Sequence, residues 1–182
     1  MPNPLRLVTL VLSLSSAACS RTPSAPSTPV DRVERWSRLD AEYEELTRGY
    51  DEDTRARQIG VTELRAKLAS GAPVLLLDIR ESRENAVSSL PNARHIAPDD
   101  VDSTVLAAAR DVTVVAYCTA GYRSGMAAVR LEERLGREVF SLHGGIVAWF
   151  NAGGEVRDPD GKMCDEIDAY GPRWQKYVHP RK

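Results

Sequence analysis

The most constraining stretch of the chain is Val112–Ser124, VTVVAYCTAGYRS. It opens as an apolar run, Val112–Tyr117, of the kind that forms a buried strand. It then delivers one cysteine, Cys118, into a short loop with Gly121, Arg123 and Ser124, and an Ala-rich helical pattern follows at once. A strand–loop–helix turn of this kind points the loop's backbone N–H groups inward, over the positive end of the next helix dipole, and so forms an anion cradle. The thiolate is the nucleophilic form of cysteine, and such a cradle favours it. Arg123 adds a permanent charge and a planar fork of donors. A lone cysteine at a strand end is usually an inert small hydrophobe. The glycine, the nearby arginine and the helix start make the nucleophile the stronger reading here.

Cys118-Thr119-Ala120-Gly121-Tyr122-Arg123-Ser124 resembles the Cys-x-x-Gly-x-Arg-Ser active-site loop of single-domain rhodaneses, the sulfurtransferase family. Leu75-Leu76-Leu77-Asp78-Ile79-Arg80 resembles that family's strand ending in Asp-x-Arg. Leu90-Pro91-Asn92-Ala93 resembles its Ile-Pro-Gly-Ala segment, and Leu142–Trp149 its Gly-Gly-x-x-x-Trp signature. The likeness runs from about Ile59 to Val156 with the motifs in the family's order. The chain departs from the pattern at Ser88-Ser89, where the family often has Gly-His, at Asn92, and in lacking a basic residue directly after the cysteine.

The resemblance implies a rhodanese-like α/β fold, a parallel sheet with helices on both faces, and a two-step sulfur relay. Cys118 would take a sulfane sulfur from a donor such as thiosulfate, become a persulfide, and pass the sulfur to a thiophilic acceptor, a small molecule or a protein thiol. The N–H groups from Thr119 through Ala120, Gly121 and Tyr122 to Ser124 would stabilise the anionic sulfur, and Arg123 would hold the donor or brace the loop. As an exposed loop charge, Arg123 is expected to matter little for stability. Asp78 and Arg80, at the carboxyl end of their strand, would support the active-site loop. No metal or organic cofactor is implied. Two other readings stand beside the enzyme. A phosphatase or arsenate reductase of the same fold has a longer Cys-x5-Arg loop, whereas Thr119–Tyr122 leave Cys-x4-Arg here. A non-catalytic binding module would be favoured by a missing cysteine, and Cys118 is present.

The 182 residues hold one ordinary domain plus tails, and an apolar content of 42% suffices for its core. A formal net charge of −2 gives no reason to expect nucleic acid as a partner. Three scattered cysteines exclude a disulfide scaffold, and the dispersed histidines His95, His143 and His179 suggest no metal.

Met1–Ser20 has the order of an export signal: a charged start, a short apolar core at Leu5–Leu14, then small residues. Ala17-Ala18-Cys19 resembles the end of a bacterial lipobox, with Cys19 the lipidated residue. Cleavage after Ala18 is the rival reading. The first would tether the protein to the periplasmic face of a bacterial membrane. Residues 21–30 form a Ser/Thr/Pro linker. Residues 31–58 read as a helix capped by Asp31 and Glu34, with an apolar stripe at Val33, Trp36, Leu39, Tyr43, Leu46 and Tyr50, followed from Asp51 by a charged connection. Residues 59–156 form the domain. Thr62 caps a short helix through Leu68, Val74–Ile79 is a strand, Glu84–Ser88 a helix and Ala93–Ile96 a brief strand. Ser103–Ala109 is a helix, and after the Cys118 loop come a helix over Ser124–Leu135, a strand over Val139–Leu142 and a helix over Gly144–Phe150. Residues 157–182 are an extension with a turn at Asp158-Pro159-Asp160-Gly161. Its Tyr170, Trp174 and Tyr177 read as a strap packed over the domain in preference to a ligand box. Cys164 could pair with Cys118, act as a second sulfur site, or be an unremarkable thiol. Expressed with its leader in a bacterial host, the protein is expected to fractionate with membranes, and Cys19→Ala to release it or block its processing.

Overall fold

Strands without polar interruption need cover on both faces, and the computed structural model, which describes residues 28–96 and 110–181, provides it. In chain order the elements are α1 (Pro29–Thr54), β1 (Arg57–Ile59), α2 (Val61–Ala69), β2 (Val74–Asp78), α3 (Ser82–Asn85), β3 (Arg94–His95), β4 (Thr113–Tyr117), α4 (Tyr122–Leu135), β5 (Val139–Leu142), α5 (Gly145–Asn151), β6 (Val156–Arg157), β7 (Met163–Cys164) and α6 (Pro172–Gln175). The first five strands form one all-parallel sheet in the order β1-β5-β4-β2-β3. Strands β6 and β7 make a small antiparallel hairpin around the Asp158–Gly161 turn.

Side chains alternate across a strand, and the core divides accordingly. Leu76, Val115, Tyr117 and Leu142 face a cluster built by Leu64 of α2, Ile146, Val147, Trp149 and Phe150 of α5, Leu39 and Tyr43 of α1, and Ile167 and Tyr177 of the carboxyl-terminal extension. Leu77, Val114, Ala116 and Val139 face Ala127, Ala128 and Leu131 of α4 on the other side, together with Cys118. Helices therefore cover both faces of a parallel sheet, as the sequence implies. Gly136 ends α4 with a φ of 63°, a left-handed conformation that glycine adopts without steric penalty.

Several expected boundaries move. The first helix starts at Pro29, so Asp31 and Glu34 lie within its opening turns and not at its cap, and it continues to Thr54. The apolar stripe begins at Trp36, because Val33 is exposed. The supposed connection ends in β1, an edge strand whose only buried residue is Ile59. So short a strand with two polar residues carries no periodic signal. Thr62 caps nothing: the helix is entered through Gly60, with no side-chain cap. The helix expected at Glu84–Ser88 is Ser82–Asn85, started by a capping box in which Glu81 accepts from the Glu84 amide and Glu84 from the Glu81 amide. The leader, most of the linker and the Ser103–Ala109 helix lie outside the described residues.

The two flanking segments are fixed to the domain by polar contacts. His143, at the end of β5, lies 2.6 Å from Asp51 Oδ2 and 3.1 Å from Glu44 Oε2, both on α1. Tyr43 donates to the Gly144 carbonyl at 2.8 Å. In the extension, Lys176 and Tyr177 both reach Glu42 Oε1, His179 Nε2 lies 2.7 Å from Asp40 Oδ1, and the Arg181 guanidinium covers the Phe150 ring. Helix α1 is thus held from both ends of the chain that follows it.

Burial opposes the charged form of His143, but the hydrogen bonds to Glu44 and Asp51 outweigh it and raise its pKa above the ordinary value. Burial also raises the Asp51 carboxyl, against the pull of the imidazole. The imidazole faces two carboxylates, so pairing decides its direction. A raised folded-state pKa stabilises most fully below the unfolded value of about 6.5, and that contribution fades as pH rises through the folded value. In urea unfolding, the stability difference between wild type and His143→Gln should therefore be largest near pH 5–6, about 1 kcal/mol. It should shrink towards alkaline pH.

Candidate active site

Cys118 follows directly on β4, the central strand, and its loop ends at α4. The turn requires Gly121, whose φ of 108° is open to glycine and strained for other residues. The Gly121 amide lies 3.2 Å from Cys118 Sγ and the Ser124 hydroxyl 3.6 Å from it. Ser124 Oγ also contacts the Gly121 carbonyl and Ser141 Oγ at 3.0 and 2.9 Å, which fixes the start of α4 against β5.

The loop is pinned from below by the Gly-Gly pair. The Ile146 amide donates to the Cys118 carbonyl at 2.8 Å and the Val147 amide to the Thr119 carbonyl at 3.3 Å. A Cβ on Gly145 would stand 2.3 Å from the Cys118 carbonyl oxygen, so only glycine lets the α5 backbone approach this closely. The motif is a packing requirement of the cysteine loop.

Arg123 does not project freely into solvent. Its Nη1 donates to Glu84 Oε2 at 2.9 Å, and its Nη2 donates to Glu84 Oε1 at 3.0 Å and to Thr119 Oγ1 at 2.8 Å. Thr119 Oγ1 in turn donates to Glu84 Oε1. The ring of Tyr170 lies over the guanidinium, 4.8 Å from centroid to Cζ. Burial disfavours the Arg123 charge, but the Glu84 hydrogen bonds and the adjacent Cys118 sulfur outweigh it and raise its pKa. The expectation that Arg123 is an exposed loop charge of little structural weight is corrected: it forms a bidentate pair with a fully buried carboxylate. Glu84 itself escapes a sequence reading. Its spacing from Glu81 marks a helix start, but nothing local reveals a partner 39 residues away.

Asp78 and Arg80 are fully buried and paired, with Arg80 Nη2 2.6 Å from Asp78 Oδ2. Asp78 also accepts from Asn85 Nδ2 and from the Tyr117 hydroxyl, which receives the Leu90 amide. Burial pushes the Asp78 carboxyl up, yet the Arg80 hydrogen bonds prevail and hold it below its usual range. Their bonds lead to Tyr117, the residue before the cysteine, so they brace the strand end and the 85–90 turn.

The thiol opens on a cavity of about 350 Å³ lined by Tyr50, Cys118, Thr119, Ala120, Tyr122, Arg123, Tyr170 and Trp174. Tyr50 comes from α1, and Tyr170 and Trp174 from the extension. The strap is therefore also a wall of the site, so the ligand box set second to a strap in the sequence holds for Tyr170 and Trp174. Cys164 does not line the cavity, and both thiols are free.

Comparison with known proteins adds the following. A family model described as a rhodanese-like domain matches residues 60–152. A sulfurtransferase of Allochromatium vinosum is 33% identical over 104 residues, covering 57% of this chain and 97% of its own length. A tRNA uridine(34) hydroxylase of Cupriavidus metallidurans is 28% identical over 173 residues, 91% of this chain; the match spans only 51% of that protein. The solved thiosulfate sulfurtransferase of Pseudomonas aeruginosa is similar with a TM-score of 0.54 at 20% identity, over 75% of this chain and 26% of that one, a likeness of fold.

Removing one partner of a buried ion pair costs about 3–5 kcal/mol, because the other is left uncompensated. Arg123 is partly exposed, so Glu84→Ala should destabilise the domain by about 3 kcal/mol, at the lower end of that range. The double variant Glu84→Ala/Arg123→Ala should lose clearly less than the sum of the two single losses, measured by urea unfolding of all four proteins.

Proposed function

The chain belongs to the rhodanese-like family, and on that premise we propose that it is a sulfurtransferase whose sulfur travels on Cys118. The observation that carries the reading is the placement of Cys118 Sγ at the end of the central strand, beside the Gly121 amide at 3.2 Å, with an open cavity in front of it. In the first step the Cys118 thiolate attacks the outer sulfur of a sulfane donor. The donor's S–S bond breaks, its electron pair leaves with the remaining fragment, and Cys118 becomes a persulfide anion. In the second step a thiophilic acceptor attacks the terminal sulfur and the Cys118 thiolate is restored. No net oxidation is needed.

The Gly121 amide and the start of α4 support negative charge on sulfur through both steps. Arg123 acts as a positioning residue: held by Glu84 and Thr119, it keeps a cation beside the thiol and the loop in shape. A guanidinium whose two terminal nitrogens are both held by Glu84 supports the sulfur relay over phosphoryl transfer, which needs donors free to surround a tetrahedral phosphate. The acceptor is a small thiophile or a protein thiol. The charge–apolar–small order of Met1–Ser20 supports an exported protein, with Cys19 as the point of lipid attachment.

Incubation of the reduced protein with a sulfane donor should add one sulfur atom to the peptide that contains Cys118 and none to the peptide with Cys164, read by mass spectrometry. Cyanide should remove it as thiocyanate. Cys118→Ser should lower turnover by at least about a thousandfold, since a serine hydroxyl is not ionised at neutral pH and cannot carry a persulfide. A folded, reduced protein that gains no sulfur from several chemically distinct donors would leave the binding module as the better reading.

A further inference from the structure

The cavity in front of Cys118 is walled by four aromatic side chains, Tyr50, Tyr122, Tyr170 and Trp174. Tyr50 meets the edge of Tyr122 at 5.3 Å between centroids and that of Trp174 at 6.1 Å. Tyr122 is about half exposed at the rim. Such a space, a few hundred cubic ångströms of mainly aromatic lining with a few polar groups at one end, is the form of a site for an organic ligand.

The charge balance points the same way. A small inorganic dianion is bound by positive charge that is not already matched. Arg123 is the one cationic side chain lining the cavity among the described residues, and Glu84 matches it through both terminal nitrogens. Arg83, which also lies against the Tyr170 ring, is likewise paired, with Glu81 and Asp168. Arg173 stacks on Trp174 and does not line the cavity. Three of the four rings, Tyr50, Tyr170 and Trp174, also lie outside residues 60–152, the part that the family model matches. The flanking segments thus add an aromatic vestibule to the segment that carries Cys118.

We propose that the sulfur donor of this site is organic, with an apolar planar body that packs against the wall formed by Tyr50, Tyr122 and Trp174 while its outer sulfur meets Cys118. The proposal rests on the sulfurtransferase reading and specifies its substrate class. For a thiosulfonate R–SO2–S⁻, the thiolate of Cys118 bonds to the outer sulfur, the S–S bond of the donor breaks, and the sulfinate R–SO2⁻ leaves with the electron pair. One sulfur is transferred, and two negative charges stand on each side. For an organic persulfide R–S–S⁻ the leaving group is the thiolate R–S⁻.

The test compares benzenethiosulfonate with thiosulfate as donors to the full chain. Wild type should prefer the aryl donor by at least about tenfold in kcat/KM, mainly through a lower KM, the scale expected of one or two aromatic contacts. Trp174→Leu and Tyr50→Leu should each reduce that ratio several-fold, and Trp174→Phe should restore most of it. A wild type that prefers thiosulfate, or a ratio unchanged in both leucine variants, overturns the proposal while sulfur transfer itself stands. A second measurement separates the two readings. Benzenesulfinate, which cannot donate sulfur, should bind Cys118→Ser and change its tryptophan fluorescence, and the response should weaken in the Cys118→Ser/Trp174→Leu protein. If neither donor loads Cys118 yet this binding persists, the relay fails and the aromatic ligand site survives. If sulfinate does not bind, the aromatic site is overturned.

Discussion

One buried carboxylate organises the site. Glu84 sits at zero exposure, and its two oxygens take both terminal nitrogens of Arg123 and the hydroxyl of Thr119, while its own helix is started by the reciprocal bonds with Glu81. An ionised carboxylate removed from water must have such partners, because an unmatched charge in the interior costs several kcal/mol. The requirement runs both ways. The arginine of the cysteine loop cannot swing out without stranding Glu84, so the loop has one shape. A second pair, Asp78 and Arg80, does the same for the strand end before the cysteine, through the hydroxyl of Tyr117.

Around this fixed centre the chain builds with backbone where side chains would be too bulky. The approach of α5 to the Cys118 and Thr119 carbonyls is possible only because Gly145 has no Cβ. Helix α1 makes a similar close crossing, with Gly125 of α4 set against Thr54 so tightly that a Cβ there would stand 2.5 Å from the hydroxyl. These contacts bring α1, and with it Tyr50, to the mouth of the cavity. The extension then closes the opposite wall. Under the proposed relay the shared unit supplies the sulfur chemistry, and the flanking segments supply the surface that meets the rest of the donor.

The pKa directions fit this division of labour. At Asp78 and Arg123 ionic hydrogen bonds overcome burial, so the charged forms are retained. At Tyr43 and Tyr117 burial dominates and raises the phenols well above their usual value. Both hydroxyls therefore stay protonated and serve as donors, Tyr43 to the Gly144 carbonyl and Tyr117 to Asp78.

The sequence by itself determined what is local or repeated. The apolar runs Val74–Ile79 and Val112–Tyr117 specify buried parallel strands, and the glycine and arginine after Cys118 specify a strand–loop–helix turn. The resemblance of the four motifs to the rhodaneses carries the fold. Whatever depends on partners distant in the chain was decided only by tertiary structure. Glu84 looks like an ordinary first-turn acid until Arg123 is brought to it, and Arg123 looks exposed for the same reason. Strand β1 has too few residues to show a period and exists because β5 offers it an edge. Tyr50, Tyr170 and Trp174 read as packing aromatics and become walls of the cavity only when both flanking segments fold back onto the domain beside the cysteine loop. Periodicity records which face of an element is buried. It does not record which other element buries it, and here that second choice makes the site.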